Sequence, residues 1–323
     1  MNHSRRGFIK NMIGGTIVLS LDHFKLPQNL ASHPFKLGMI ADLHQDIMHD
    51  SAERLNSFIY EMKKIETDAN IQLGDFAIPR PQNYTLINEF NQSNKEVLHV
   101  IGNHDTDLGF TKEEVLKVWK MTEPYYSKEI KGIKIIVLDG NETGSPTYKG
   151  GYPSFIGDTQ ASWLEQELKN ASKPVLIFSH QPLAGPGSID NASEIRRILE
   201  PFSENILLCL NGHTHIDGVI QINGISYLHL NSASYYWVGS NYSHLSYAEN
   251  IHEQHPNIAN TCPYRDPIYS HLEIDFNKKE LRIDSKSSVW VGESPHQLNV
   301  PSALEMKTPF QVIPGITNRT YAI

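Results

Sequence analysis

The chain has 323 residues, 39% of them hydrophobic, enough to bury a large core in one domain or two smaller ones. Its formal net charge is -8 and no Lys/Arg-rich run lies beyond the first residues, which argues against binding nucleic acid or another polyanion. Only two cysteines occur, Cys209 and Cys262, with no CxxC spacing, which excludes a thiolate zinc module and a disulfide-dense scaffold.

At the N-terminus, Ser4-Arg5-Arg6-Gly7-Phe8-Ile9-Lys10 precedes a modest apolar segment from Met12 to Leu21. A membrane span needs about 20 apolar residues, and this segment is too short and too rich in glycine. The paired arginine ahead of a weakly hydrophobic stretch resembles a twin-arginine export signal. Residues 1–31 are therefore expected to form a signal segment, with cleavage near Asn29-Leu30-Ala31-Ser32. That reading implies the twin-arginine translocation machinery as a partner and a periplasmic or secreted product, membrane-tethered if the signal is retained.

From Phe35 onward strand and helix patterns alternate. Lys36–Ala41 reads as a strand, and Leu55, Phe58, Ile59 and Met62 recur at helical spacing. Ile71–Leu73 and Val97–Ile101 are short apolar runs. Thr111 with Glu114 forms a capping box ahead of a helix carrying Val115, Val118 and Trp119. Ile133–Leu138 is another strand, and Asp158 is expected to cap a helix whose apolar face holds Trp163, Leu164 and Leu168. Val175–Phe178 and Ile206–Leu210 are buried strand runs on either side of a helix around Ile195, Ile198 and Leu199. Beyond His215 two hairpins follow, Val219–Leu230 around Asn223-Gly224 and Leu272–Ser285, which predicts an antiparallel second half. The sequence thus divides into a domain over 32–290, a long loop insertion at 232–267 and a tail at 291–323 whose role it leaves open.

Five short polar pieces follow apolar runs: Asp42-Leu43-His44, Gly74-Asp75, Gly102-Asn103-His104-Asp105, Ser179-His180 and Gly212-His213-Thr214-His215. By position they should emerge together at one edge of a single sheet. Imidazole, carboxylate and amide donors without thiolate suit Mn, Fe or Zn rather than calcium or a closed structural zinc. Seven donors, Asp42, His44, Asp75, Asn103, His180, His213 and His215, exceed one tetrahedral ion and suffice for two if a carboxylate bridges. Two ions roughly 3.5 to 4 Å apart are the usual device for in-line attack at phosphorus.

In this order the five pieces resemble the calcineurin-like metallophosphoesterase superfamily, over about residues 36–285. The resemblance implies an α/β fold, a four-layer α/β/β/α sandwich of two mixed sheets with a dinuclear metal site at the strand ends. It implies Asp42, His44 and His215 on one divalent ion, Asn103, His180 and His213 on the other, and Asp75 as the bridge. His104 would face the substrate phosphate as acid or charge stabiliser, oriented by Asp105, and the nucleophile would be a hydroxide on the metals. One branch, the purple acid phosphatases, has Tyr three residues past the bridging Asp; here that residue is Ile78.

Some residues have plainer explanations. His99, inside a strand, reads as a satisfied core residue. Arg80 could pair with a phosphate but reads equally as a surface arginine. Tyr235, Tyr236 and Trp237 could stack on a leaving group, or simply pack within a long loop. The function expected is a metal-dependent hydrolase that splits a phosphodiester or pyrophosphate bond of a small molecule, with a nucleotide as candidate and no nucleic-acid partner. A phosphomonoesterase is the alternative within the same chemistry, and a non-catalytic scaffold the alternative from another class.

Overall fold

The computed structural model describes residues 11–13, 16–21, 23–26 and 33–323. Arg5, Arg6 and the expected cleavage region 29–32 lie outside the described residues. The chain begins with strands β1 (Asn11–Ile13), β2 (Thr16–Ser20) and β3 (Phe35–Ile40), then helix α1 (Ser51–Ile65). Strand β4 (Ala69–Gln72), helix α2 (Tyr84–Asn91), strand β5 (Val97–His99) and helix α3 (Lys112–Trp119) complete the first alternating run. A second run comprises β6 (Tyr126–Ile130), β7 (Ile133–Val137), α4 (Asp158–Lys169), β8 (Val175–Ser179), α5 (Ala192–Leu199) and β9 (Ile206–Asn211). Then come the hairpin β10 (Gly218–Ile222) and β11 (Ile225–His229), and β12 (Tyr235–Trp237), α6 (Glu249–Gln254) and β13 (Thr261–Pro263). The chain closes with β14 (Ser270–Asp275), β15 (Glu280–Ser285), α7 (Pro301–Leu304) and β16 (Arg319–Ala322).

The strands form two large mixed sheets. One has the order β1-β2-β16-β15-β14-β3-β4-β5, with β3, β4 and β5 parallel; the other runs β10-β11-β9-β8-β7-β6, with β7, β8, β9 and β11 parallel. Alternation along β7 sets the layers. Ile133, Ile135 and Val137 point into the core between the sheets with Leu37, Met39 and Phe178, while Ile136 points outward onto Leu164 and Leu168 of α4 and Ile195 of α5. On the far side, Leu55, Phe58 and Met62 of α1 join Phe90 of α2 and Trp119 of α3 against the outer face of the eight-stranded sheet. The result is helices, sheet, sheet, helices. Among the described residues no helix is long and apolar enough to cross a membrane.

The local signals fare unevenly. The Thr111 capping box is present in full, and Asn223 and Gly224 both have positive φ, as the tight turn between β10 and β11 requires. Asp158 does not cap α4: it is the first helical residue, Gly157 is the N-cap, and the Gly157 N–H is taken by Glu142 instead. The antiparallel second half is only part of the picture, because β11 lies parallel beside β9. The tail is integral to the fold. Strand β16 lies between β15 and β2, and Arg319 pairs with buried Asp217 at 2.8 Å. Parallel to β16, the strand β2 carries Ile17 and Leu19 into the core, followed by Leu21. Cys209 is buried, as expected of a small apolar residue.

Candidate metal centre

The donors follow strand ends. Asp42 and His44 lie past β3, Asp75 past β4 and Asn103 past β5, whereas His180 follows β8 and His213 and His215 follow β9. They therefore come from two sheets, not from one edge of a single sheet as their positions in sequence suggest. Face-to-face packing brings the two sets of ends together, outside the carboxyl ends of parallel strands, where ligands of α/β proteins bind.

Asp42, His44 and His215 make one group and Asp75, His180 and His213 another, the ligating atoms of each within 4.8 Å of one another. Asn103 Oδ1, 3.1 Å from His180 Nε2, adds to the second. Asp75 lies between the groups. Its Oδ1 accepts the His104 backbone N–H at 2.8 Å, while Oδ2 stands 3.2 Å from His180 Nε2 and 3.7 Å from His44 Nε2.

The rings are turned for ligation. His180 Nδ1 donates to the Leu73 carbonyl at 2.7 Å and His215 Nδ1 to the Tyr235 carbonyl at 2.8 Å, so in each ring Nε2 is the nitrogen turned toward the site. Burial holds His44 well below the ordinary histidine range and takes His213 down to about 3, keeping both neutral. His180 is the exception: burial opposes its charge, yet the neighbouring Asp75 carboxylate raises it to about 9, so the site attracts positive charge. Buried, convergent nitrogen and oxygen donors without thiolate fit a pair of borderline divalent ions.

The backbone is set for this task. Asp42, His44, Asp75, His213 and His215 all have φ between 50° and 70°, a left-handed conformation that costs a non-glycine residue about 1–3 kcal/mol. Gly102 lets the loops approach, since a Cβ there would lie 2.2 Å from the Asp75 nitrogen.

Asp105 does not orient His104. Its buried carboxylate accepts backbone N–H groups of Gly102 (2.7 Å), Asp75 (2.9 Å), Phe76 (2.8 Å) and Ala77 (3.1 Å), which stitches the loop after β4 to the loop after β5. The carboxylate beside His104 belongs to Asp107, whose Oδ2 is 2.7 Å from Nδ1. Tyr152 completes the group, with its hydroxyl 2.7 Å from Asp107 Oδ1 and 3.1 Å from His104 Nδ1. Burial opposes charge on His104, but the bond to Asp107 and the charges of Asp75 and Asp107 raise its pKa. The three-residue spacing from His104 is the signal that could have found Asp107; Tyr152, like Tyr148, stands out in the sequence only as an aromatic in a glycine-rich segment, open to stacking on a leaving group or to plain packing, and nothing local ties it to His104.

A cavity of about 700 Å³ opens over the donors. Arg80 lines it, its guanidinium 2.6 Å from Asp46, and is the only Lys or Arg among the described residues that do so. Trp237 also lines it and is exposed. Tyr235 is buried instead, its ring 4.9 Å from the rings of both His44 and His215, so it backs the ligands rather than reaching outward. Tyr236 borders the cavity but ties its hydroxyl to Ser302. His99 is buried and bonded to Gln72 and Asn91, as a satisfied core residue should be.

Residues 35–217 match the model of the family described as calcineurin-like phosphoesterase. The chain is 23% identical over 270 residues to the manganese-dependent ADP-ribose/CDP-alcohol diphosphatase of Arabidopsis thaliana, covering 62% of this chain and 86% of that protein. In structure it is similar to a dimetal phosphatase from Danio rerio, with TM-score 0.56 and 15% identity over 80% of this chain and 98% of the other. It is also similar to GAP50, the anchor in the inner membrane complex of Plasmodium, with TM-score 0.54 and 13% identity over 81% and 86% of the two chains. Likeness at these identities concerns the fold alone.

Proposed function

Since the chain belongs to the calcineurin-like phosphoesterase family and is a metal-dependent phosphoesterase, we propose that it hydrolyses the pyrophosphate or phosphodiester bond of a nucleotide-derived small molecule. The observation that carries this reading is the cavity. At about 700 Å³ it is larger than a lone phosphate needs, and its walls hold Arg80 and Trp237 beside the donor set. A guanidinium suits a second phosphate, and an exposed indole suits a nucleobase. The diphosphatase activity named for the Arabidopsis relative is of this kind.

Two divalent ions held by Asp42, His44 and His215 and by Asp75, Asn103, His180 and His213 would supply the positive charge that polarises the phosphoryl group and acidifies a water. Manganese is the first choice, being the ion named for the relative, with Fe and Zn also compatible with these donors. The chain's own residues do the rest. Asp75 holds the two donor groups in register, Arg80 is braced by Asp46 to meet a non-reacting phosphate, and His104 faces the cavity to serve the departing oxygen.

The test is hydrolysis of ADP-ribose and a CDP-alcohol beside bis(4-nitrophenyl) phosphate and 4-nitrophenyl phosphate, in Mn(II), with His213→Ala as control. The expected result is preference for the pyrophosphates or the diester, lost in the variant by about 100-fold or more, because removing a residue that would hold one ion removes charge stabilisation of the transition state. Preference for the monoester would overturn the reading in favour of a phosphatase. Absence of turnover with full metal loading would favour a non-catalytic role on the same fold.

A further inference from the structure

We propose that Asp107 and Tyr152 are positioning residues that fix the tautomer and direction of His104 for proton delivery to the leaving group. The inference deepens the reading above, and it rests on His104 acting as the proton donor.

The geometry is specific. The two oxygens of Asp107 are divided between two partners, Oδ2 to His104 Nδ1 at 2.7 Å and Oδ1 to the Tyr152 hydroxyl at 2.7 Å. Since a carboxylate only accepts, the tyrosine must donate to it, and the His104 proton on that side must sit on Nδ1. The tyrosine oxygen lies 3.1 Å from the same nitrogen and closes a three-membered ring of contacts. With Nδ1 held this way, Nε2 is the nitrogen left to meet a substrate in the cavity that His104 lines.

Asp105 cannot take this role, because backbone N–H groups already occupy both of its oxygens. Tyr152 arrives from a different part of the chain. It follows Gly150 and Gly151, both at positive φ (99° and 87°), and the Tyr148 hydroxyl donates to the Gly151 carbonyl at 2.6 Å, which shapes the turn that presents it. Its ring centroid lies 4.7 Å from that of His104, so it restrains the imidazole by contact as well as through Asp107. Tyr152 and Asp107 both line the cavity, which places the whole group at the substrate and not in the structural core.

In the step assigned to this group, a water oxygen forms a bond to phosphorus as the bond from phosphorus to the leaving oxygen breaks. His104 passes the proton on Nε2 to that oxygen, the attacking water gives up a proton to solvent, and the ring later regains one from solvent. No oxidant or further reactant is needed. Asp107 and Tyr152 exchange no proton with the substrate; they hold the ring so that Nε2 points at the oxygen that leaves.

The experiment uses full-length protein loaded with Mn(II) and two esters of thymidine 5′-monophosphate that differ only in the leaving group, 4-nitrophenol or phenol. A good leaving group departs without a proton, whereas a poor one needs it. Asp107→Asn and Tyr152→Phe are expected to lower kcat for the phenyl ester by about 10- to 100-fold, with KM and 4-nitrophenyl turnover changed by less than about 3-fold. Manganese content and Tm should match the parent. His104→Ala is the reference. If it does not discriminate between the esters, the reading of His104 as proton donor fails and takes the proposal with it. If His104→Ala discriminates while Asp107→Asn and Tyr152→Phe do not, the donor stands and the positioning proposal is overturned. Equal losses on both esters, with lost metal or lowered Tm, would also overturn it and make the pair structural.

Discussion

Asp105 and Asp107 stand two residues apart and act on different things, because their surroundings differ. Asp105 is buried among backbone donors and is spent on holding two loops, whereas Asp107 reaches the half-exposed His104 at the cavity wall. His99, a few residues upstream, shows what burial alone does to a histidine. Its Nδ1 meets the Gln72 amide at 3.2 Å and its Nε2 the Asn91 carbonyl oxygen at 2.8 Å, so the neutral ring is satisfied, and burial lowers its pKa from 6.5 to about 3. Between those two values the unfolded chain binds a proton that the folded chain does not. Stability contributed at neutral pH is therefore lost as the pH falls from 6.5 toward 3, by about 2 kcal/mol between pH 7 and pH 5. Urea unfolding at the two pH values should show this slope in the parent, and His99→Gln should remove that share of it. An unchanged slope in the variant would mean that another group sets the acid sensitivity.

At the scale of elements, the site depends on turns that only certain residues allow. The loop after β9 brings Gly212 against the loop after β3, where a Cβ would stand 2.5 Å from Asp42 Oδ2 and 3.2 Å from the Leu73 carbonyl. Neither neighbour is free to retreat, since Asp42 accepts the His213 N–H at 3.0 Å and the Leu73 carbonyl accepts from His180 Nδ1 at 2.7 Å. Gly212→Ala should therefore displace Asp42 and weaken manganese binding by about 10- to 100-fold, the usual cost of disturbing a group that supports a ligand. Calorimetric titration of the metal-free protein would measure this, and unaltered affinity would show that the loops can part without harm. The segment between β11 and β14 behaves as an element too. In its paired strands β12 and β13, Tyr235 and Trp237 share one face with ring centroids 6.3 Å apart, Tyr235 buried beside the histidines and Trp237 exposed at the cavity, while Tyr236 between them ties its hydroxyl to Ser302.

For the whole molecule, left-handed backbone at the candidate ligands and the burial of acidic and imidazole groups cost free energy that ion binding would offset. An ion that binds the folded chain and not the unfolded one stabilises it by about 2.7 kcal/mol at 100 times its Kd. Removing divalent metal with a chelator should lower Tm, manganese should restore it in a concentration-dependent way, and His213→Ala should blunt the recovery. A Tm indifferent to metal would argue against both sites. The seven residues that the structure gathers at the strand ends could be singled out in the sequence because each lies in a short piece after an apolar run, where side-chain chemistry and local backbone are fixed by neighbours in the chain. The alternation of strands and helices and the apolar faces of α1, α3 and α4 were legible for the same reason, through periodicity. Which carboxylate serves His104 was not, since Asp105 and Asp107 both lie within three residues of it and only the packing of two loops commits Asp105 to backbone N–H groups; Tyr152, 48 residues away, likewise meets His104 only through loop packing. The division of the donors between two sheets, the inward turn of Tyr235 and the seat of β16 beside β2 belong to the tertiary structure as well. They depend on strand order and register, set by long-range pairing and burial across the whole chain, and no local pattern encodes them.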